Sequence, residues 1–133
     1  MHRTVTGSLG ALAIVLSTAG IAGPREDLLA QYAAAAKSGG FSATRGQILH
    51  TQNFAGGKPD TPACTSCHGK DTRGAGRTPA GKAIEAAAVS VTPTRYTDPV
   101  KVEKWFKRNC TDVLGRECTP QEKGDWLTYV ISQ

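Results

Sequence analysis

The chain contains no long hydrophobic run and few aromatic residues. Its most apolar stretch, Leu9–Ile21, is shorter than the roughly 20 residues that cross a bilayer, which argues against a transmembrane protein. Three Phe, two Trp and three Tyr in 133 residues provide little material for a large core. A hydrophobic content of 39% nevertheless excludes a disordered chain. The composition therefore predicts one small domain that needs a covalent or metal-based centre.

Residues 1–22 have the pattern of an export signal. A short basic start precedes the apolar stretch, and small residues end at Ala22. We predict a signal peptide at 1–22 and a single domain at 23–133. A buried N-terminal helix is the alternative, but Gly and Ser interrupt the run and no polar face is present. Export predicts a periplasmic location, where disulfides form and nucleic acid is not a partner.

Capping residues predict short helices in the rest of the chain. Pro24 and the Asp98-Pro99 pair are typical helix starts, and Thr119 with Glu122 forms a capping-box pattern. No strand-like alternation is present, so the fold class is predicted to be all-α. The expected elements are helices at 24–37, 42–51, about 98–109 and about 119–131, a loop at 53–63, and one short Ala-rich helix at 82–89 within an irregular segment.

The motif Cys64-Thr65-Ser66-Cys67-His68 indicates a c-type haem. C-x-x-C-H is the attachment pattern in which two thiols join the porphyrin and the adjacent imidazole reaches the iron. A thioredoxin-like dithiol would follow a strand, whereas a Gly- and Pro-rich loop precedes this motif. A zinc site would need a second Cys or His pair at suitable spacing. A plain disulfide would leave the position of His68 unexplained.

The second iron ligand cannot be the usual methionine, because the only Met is Met1 and it leaves with the signal peptide. His50 precedes the motif, and we favour a packing role for it over ligation. Val102, Trp105, Phe106 and Asn109 share one face of the penultimate helix, which predicts a buried face carrying an amide. Asn109 is then either an iron ligand or a helix C-cap.

Cys110 and Cys118 are expected to form a disulfide in an oxidising compartment. Free thiols, or a cysteine thiolate on the iron, are the weaker alternatives. Three basic residues lie on the outer side of the penultimate helix. They form either ordinary solvated surface or a positively charged patch that steers an acidic redox partner. They are Lys101, Lys104 and Arg108.

Two segments resemble the Sphaeroides haem protein family, which are high-spin class I cytochromes c with an asparagine axial ligand. They are Gly56–Gly69, which contains the haem motif, and Val102–Cys110 with the following Gly115–Pro120. The resemblance implies a class I cytochrome c fold around one haem c, attached at Cys64 and Cys67. It also implies that His68 is the proximal ligand, that Asn109 is the distal ligand, and that Cys110–Cys118 is the disulfide beside it. Trp105 and Phe106 are predicted to line the haem pocket.

The resemblance implies electron transfer in the periplasm, with Asn109 released on reduction so that O2, NO or another diatomic can bind. Redox partners in the family are a dihaem cytochrome c and a membrane cytochrome b. The alternatives are a plain electron carrier and a small oxygen or NO reductase. The sequence indicates no catalytic residue, so an enzyme is the less favoured interpretation.

Overall fold

The protein is a mainly helical chain, seen in a computed structural model that describes residues 22–37 and 40–133. This confirms the all-α prediction. The predicted signal peptide lies outside the described residues except for Ala22. In the part of the chain that is described, no helix has the length and apolarity to cross a membrane. The elements in chain order are α1 (Pro24–Ala36), α2 (Ala43–Thr51), α3 (Thr65–His68), β1 (Gly76–Arg77), β2 (Ala83–Ile84), α4 (Pro99–Leu114) and α5 (Pro120–Ile131).

Side-chain caps begin the helices where the sequence predicts them. Ser42 and Asp98 each accept a hydrogen bond from the backbone N–H three residues later, at 3.3 and 3.1 Å. At the start of α5, Thr119 Oγ1 accepts from the Glu122 N–H at 3.2 Å, and the Glu122 carboxylate accepts from the Thr119 N–H at 2.8 Å. This is the predicted capping box. It fixes the start of the helix that packs against α1 and α2.

The prediction of a short helix at 82–89 is wrong. Residues 83–84 instead pair as β2 with β1 in an antiparallel two-stranded sheet. The following alanines extend along the core, where the Ala88 N–H donates to Thr72 O at 2.8 Å and the Val89 N–H donates to Val130 O at 3.0 Å. These contacts join segments distant in the chain and outweigh the helix propensity of alanine.

Helix α4 extends five residues beyond its predicted end near Asn109. It continues to Leu114 because no helix breaker precedes Gly115, which ends it in the left-handed region at φ 73°. Asn109 therefore lies inside the helix, and the C-cap interpretation is wrong. The longer helix also brings Val113 and Leu114 into a small apolar cluster around Cys110 and Cys118.

Helices α2 and α5 cross at Gly46. A Cβ at this position would lie 2.6 Å from the Asp125 carbonyl carbon and 2.7 Å from Tyr129 Cβ, so only glycine permits the contact. The buried Asp125 carboxylate accepts hydrogen bonds from the Arg45 guanidinium at 2.7 and 2.8 Å and from the Ser42 N–H at 2.7 Å. This ties the beginning of α2 to α5. Tyr129 packs on Gly46, whereas the Trp126 ring lies beside His68 of the haem motif.

A polar contact joins α1, α4 and α5 on the other side of the core. The Tyr32 hydroxyl donates a hydrogen bond to Glu103, and Lys123 Nζ lies 2.6 Å from the other oxygen of that carboxylate. Burial, together with the neighbouring carboxylate, raises the pKa of Tyr32 well above its ordinary value, so the hydroxyl remains a donor. Phe106 packs edge-on against Tyr32 with ring centroids 6.2 Å apart. The helices are thus fixed around the segment that carries the motif.

Candidate haem site

The C-x-x-C-H motif folds into α3, with Cys64 at its N-cap and His68 as its last residue. One helical turn places the residues of the motif close together. The backbone of β1 runs directly against this turn, because a Cβ on Gly76 would lie 3.1 Å from both the Cys67 carbonyl carbon and His68 Cα. Gly69 follows in the left-handed region at φ 71° and ends the helix. The motif is therefore a compact turn held from one side.

The two motif cysteines have the properties of unreactive thiols. Cys64 and Cys67 are half-buried and are not bonded to each other. Burial raises the pKa of Cys64 to about 11 and also raises the pKa of Cys67. Redox-active dithiols depend on a thiol whose pKa is lowered, whereas here burial raises both pKa values even though Cys64 lies at a helix start. The arrangement thus argues against a thiol–disulfide oxidoreductase.

The His68 side chain is half-buried, and its pKa is strongly lowered. Burial, with smaller contributions from the nearby positive charge of Arg95 and from His50, lowers its pKa to about 4. A metal ligand must be unprotonated, and His68 meets this condition at neutral pH. Nδ1 is buried and has no hydrogen-bond partner among the described residues.

Aromatic side chains surround His68. The centroid of its ring is 6.4 Å from those of Trp126 and His50. Trp126 in turn meets Tyr96 and Phe106 edge-on, each with ring centroids 5.7 Å apart. No pattern in the sequence associates Trp126 or Tyr96 with His68, because these contacts depend on how the chain folds. Together these rings provide an apolar wall beside the imidazole.

His50 is fully buried between α2 and α5, which is the packing role that the sequence favoured. Its Nε2 lies 2.9 Å from the Gly69 carbonyl oxygen, and its Nδ1 lies 3.3 Å from Trp126 Nε1. Burial lowers its pKa, and the hydrogen bond to Gly69 only partly opposes this effect. Both ring nitrogens are therefore engaged within the protein.

The prediction that one face of α4 is buried is only partly correct. Val102 is buried and Phe106 is half-buried, but Trp105 is 44% exposed and Asn109 is also exposed. The buried stripe of the helix centres on residues 102, 106, 110 and 113, and Trp105 and Asn109 flank it on one side. The Trp105 ring instead contacts the Arg108 guanidinium, whose central carbon lies 5.5 Å from the ring centroid.

The Cys110–Cys118 disulfide is present, with a Cα–Cα distance of 5.5 Å. It joins α4 to the segment just before α5 and lies among Val113, Leu114 and the partly buried Phe106. Because Cys110 immediately follows Asn109, the bridge fixes the backbone next to that amide. The free-thiol and thiolate-ligand alternatives are thereby excluded.

The residues of the motif fit a covalent haem. Two thiols lie in one turn, and the next residue is a half-buried imidazole with a lowered pKa that packs against aromatic rings. A bare metal ion is a poorer fit, since no group of three or more His, Cys, Asp or Glu side chains converges anywhere in 22–37 or 40–133. This donor set is the one that haem c uses.

Comparisons with known proteins agree with this chemistry. The chain is 48% identical over 124 residues to the cytochrome c-type protein SHP of Cereibacter sphaeroides, which covers 92% of this chain and 95% of that protein. The solved structure of oxidised SHP, described as an oxygen-binding cytochrome c, superposes with a TM-score of 0.79 at 50% identity. That match covers 82% of this chain and 96% of the SHP chain.

A second solved relative is cytochrome c'' of Methylophilus methylotrophus, whose solution structure is described in terms of haem-ligand detachment. It superposes with a TM-score of 0.68 at 32% identity and covers 82% of this chain and 93% of its own. Residues 36–130 also match a family model described as a domain of unknown function (DUF1924). With its attachment motif and helical fold, the chain belongs to the Sphaeroides haem protein family of c-type cytochromes, which carry one covalently bound haem c.

Proposed function

We propose that the protein is an exported monohaem cytochrome that transfers electrons and reversibly binds a diatomic gas such as O2 or NO. In this proposal His68 is the proximal iron ligand, and Asn109 is the distal ligand in the ferric state. The haem supplies one-electron redox chemistry and, where a coordination position is open, a site for a diatomic ligand. The surrounding side chains decide whether that position is open.

The observation that carries the proposal is the engagement of His50. Of the two histidines that follow the predicted signal peptide, His68 belongs to the motif and His50 uses both ring nitrogens for hydrogen bonds. No methionine follows Met1. Because the two commonest partners for a proximal histidine are thus unavailable, an amide is the best remaining donor.

The position of Asn109 supports its role. It lies inside α4, so its backbone is committed to the helix while its side chain is exposed. Asn109 stands one helical turn after Phe106, and the ring of Phe106 contacts Trp126. Trp126 is the residue that packs against His68. Asn109 is therefore one helical turn away from the α4 residue whose ring reaches Trp126, and its exposed amide is available as a donor.

The chemistry of an amide favours release on reduction. An amide oxygen is a hard donor that suits ferric iron better than the softer ferrous ion, so reduction weakens its hold. The disulfide fixes the backbone at Cys110, so departure from a bound iron would require only rotation of the Asn109 side chain. Two relatives lend support, since one is described as oxygen-binding and the other in terms of haem-ligand detachment.

The proposal includes location and partners. The export pattern at 1–22 supports the periplasm, and the family resemblance supports a dihaem cytochrome c and a membrane cytochrome b as redox partners. Lys101, Lys104 and Arg108 are exposed along α4 and give its outer side a positive charge. Such a surface accelerates encounter with an acidic partner in a salt-dependent manner.

Asn109→Ala tests the proposal. The variant should retain covalent haem, because Cys64 and Cys67 are untouched, but its ferric absorption spectrum should change. Lys104→Ala, an exposed change elsewhere on α4, serves as the matched control and should leave the spectrum as in the wild type. An unchanged ferric spectrum in Asn109→Ala would remove the asparagine from the iron. Failure of the reduced wild-type protein to bind carbon monoxide would favour a plain electron carrier.

A further inference from the structure

His50 connects the end of the haem motif to the last helix. A carbonyl oxygen can only accept a hydrogen bond, and an indole N–H can only donate one. The neutral tautomer of His50 with the proton on Nε2 satisfies both neighbours, donating to Gly69 O and accepting from Trp126 Nε1–H. The Gly69 carbonyl, the His50 ring and the Trp126 indole thus form a continuous bridge, here called the His50 bridge.

The His50 bridge lies directly against the proposed proximal ligand. Gly69 is joined to His68 by a peptide bond, so a hydrogen bond that holds its carbonyl also holds the backbone from which the His68 side chain extends. The rings at both His50 and Trp126 contact the His68 ring, at interplanar angles of 43° and 58°. One unit therefore restrains both the main chain and the ring face of His68.

The His68 ring makes no hydrogen bond through Nδ1 that could set its orientation among the described residues. Histidines that bind metals usually donate their second ring N–H to a fixed acceptor, which sets the plane of the ring. In the part of the chain that is described, Nδ1 of His68 is buried without such an acceptor. Packing and backbone position must then fix the orientation of the imidazole.

We infer that His50 is a positioning residue that sets the orientation of the His68 imidazole through Gly69 and Trp126. This inference rests on the proposed role of His68 as proximal ligand. The polar atoms of His50 are essential to it, since an apolar aromatic ring would fill the same volume but could not hold the Gly69 carbonyl. His50 is completely buried, and it acts through its neighbours.

The test compares ferric holoproteins by proton NMR and by midpoint potential. The hyperfine shifts of the haem methyl groups depend on the orientation of the axial imidazole, whereas a merely structural substitution leaves them unchanged. His50→Phe should displace these shifts and alter the potential. His50→Gln, which keeps an N–H donor within reach of Gly69, should restore both toward wild type. Ile48→Ala, an exposed change on the same helix, is the control and should alter neither.

Wild-type shifts and potential in His50→Phe would overturn the inference, and so would equal displacement in His50→Gln and His50→Phe. Trp126→Phe removes the indole donor together with part of the ring volume, and it provides an independent variant if His50→Phe fails to fold. It should displace the shifts less than His50→Phe, and wild-type shifts in this variant would exclude the bridge.

The proposed function and the inference fail in different ways. Electron–nuclear double resonance of the wild-type protein grown with 15N-histidine should detect one imidazole nitrogen coupled to iron. Absence of that coupling would refute His68 as ligand, and the inference with it. Coupling that is present in the wild type and identical in His50→Phe would refute the positioning role alone.

Discussion

Removing the Cys110–Cys118 disulfide should destabilise the protein by an amount that its closed loop determines. The bridge encloses residues 110–118, and the chain-entropy relation gives about 2.5 kcal/mol for a loop of this length. Both sulfurs lie in an apolar cluster, with Cys110 5% and Cys118 8% exposed, so alanine is the appropriate replacement. Serine would add a buried hydroxyl without a partner.

A double-mutant cycle separates the covalent bond from side-chain packing. Cys110→Ala and Cys118→Ala each break the same bridge, so each should lose about 2.5 kcal/mol plus a packing contribution of up to about 1 kcal/mol. The double variant should lose little more than either single variant, because the bond can be lost only once. Denaturant unfolding of the ferric holoprotein measures the three free energies of unfolding. Strictly additive losses, or single losses below about 1 kcal/mol, would refute the loop argument.

The same variants test whether the bridge restrains Asn109. Breaking it frees the last turn of α4 beyond Asn109, so carbon monoxide should bind the reduced double variant at a rate different from the wild type. The haem should remain attached, since Cys64 and Cys67 are unaffected. Equal binding rates in the two proteins would show that the disulfide stabilises the fold without restraining the distal side.

Two further predictions concern the contacts of α5. Gly46→Ala should cost about 1–3 kcal/mol of unfolding free energy, because the new methyl group overlaps Asp125 and Tyr129 at the helix crossing. The control, Thr44→Ala on the exposed side of α2, should cost less than about 0.5 kcal/mol. Equal losses in the two variants would contradict the overlap argument. The hydrogen bonds from Arg116 and the Thr119 N–H lower the pKa of Glu122 below its ordinary value of 4.5, so their stabilisation is fully present above pH 4.5 and is lost as pH falls through the lowered pKa. Glu122→Gln should therefore be less stable than wild type at pH 7, by a few tenths to about 1 kcal/mol. The difference in stability should shrink at pH 3. A difference that does not depend on pH would refute the argument.

Local chemistry made most of the helical framework predictable. Ser42, Asp98 and the Thr119–Glu122 pair each satisfy backbone N–H groups within one turn, so their effect can be recognised without knowledge of the fold. The attachment motif is local for the same reason. The haem chemistry was thus predictable from five consecutive residues.

Contacts between distant segments were not predictable in this way. Ala88 and Val89 are held out of a helix by carbonyl groups of Thr72 and Val130, and nothing in the local sequence indicates those partners. The place of Trp126 beside His68 likewise depends on how α5 crosses the molecule. Asn109 was correctly placed on α4, but its exposure follows from which stripe of the helix meets the core.

The two proposed iron ligands, His68 and Asn109, differ in how tightly the protein packs around them. His68 is the last residue of a helical turn packed against β1, and the hydrogen-bonded His50 and Trp126 rings contact its imidazole. The Asn109 side chain is exposed, and the neighbouring disulfide fixes only its backbone. Since a ligand that is not held by other contacts exchanges more readily than one that is packed on several sides, reduction should change coordination at Asn109 and leave His68 in place. This difference in packing would give a physical reason for the proposed ligand exchange at Asn109 rather than at His68.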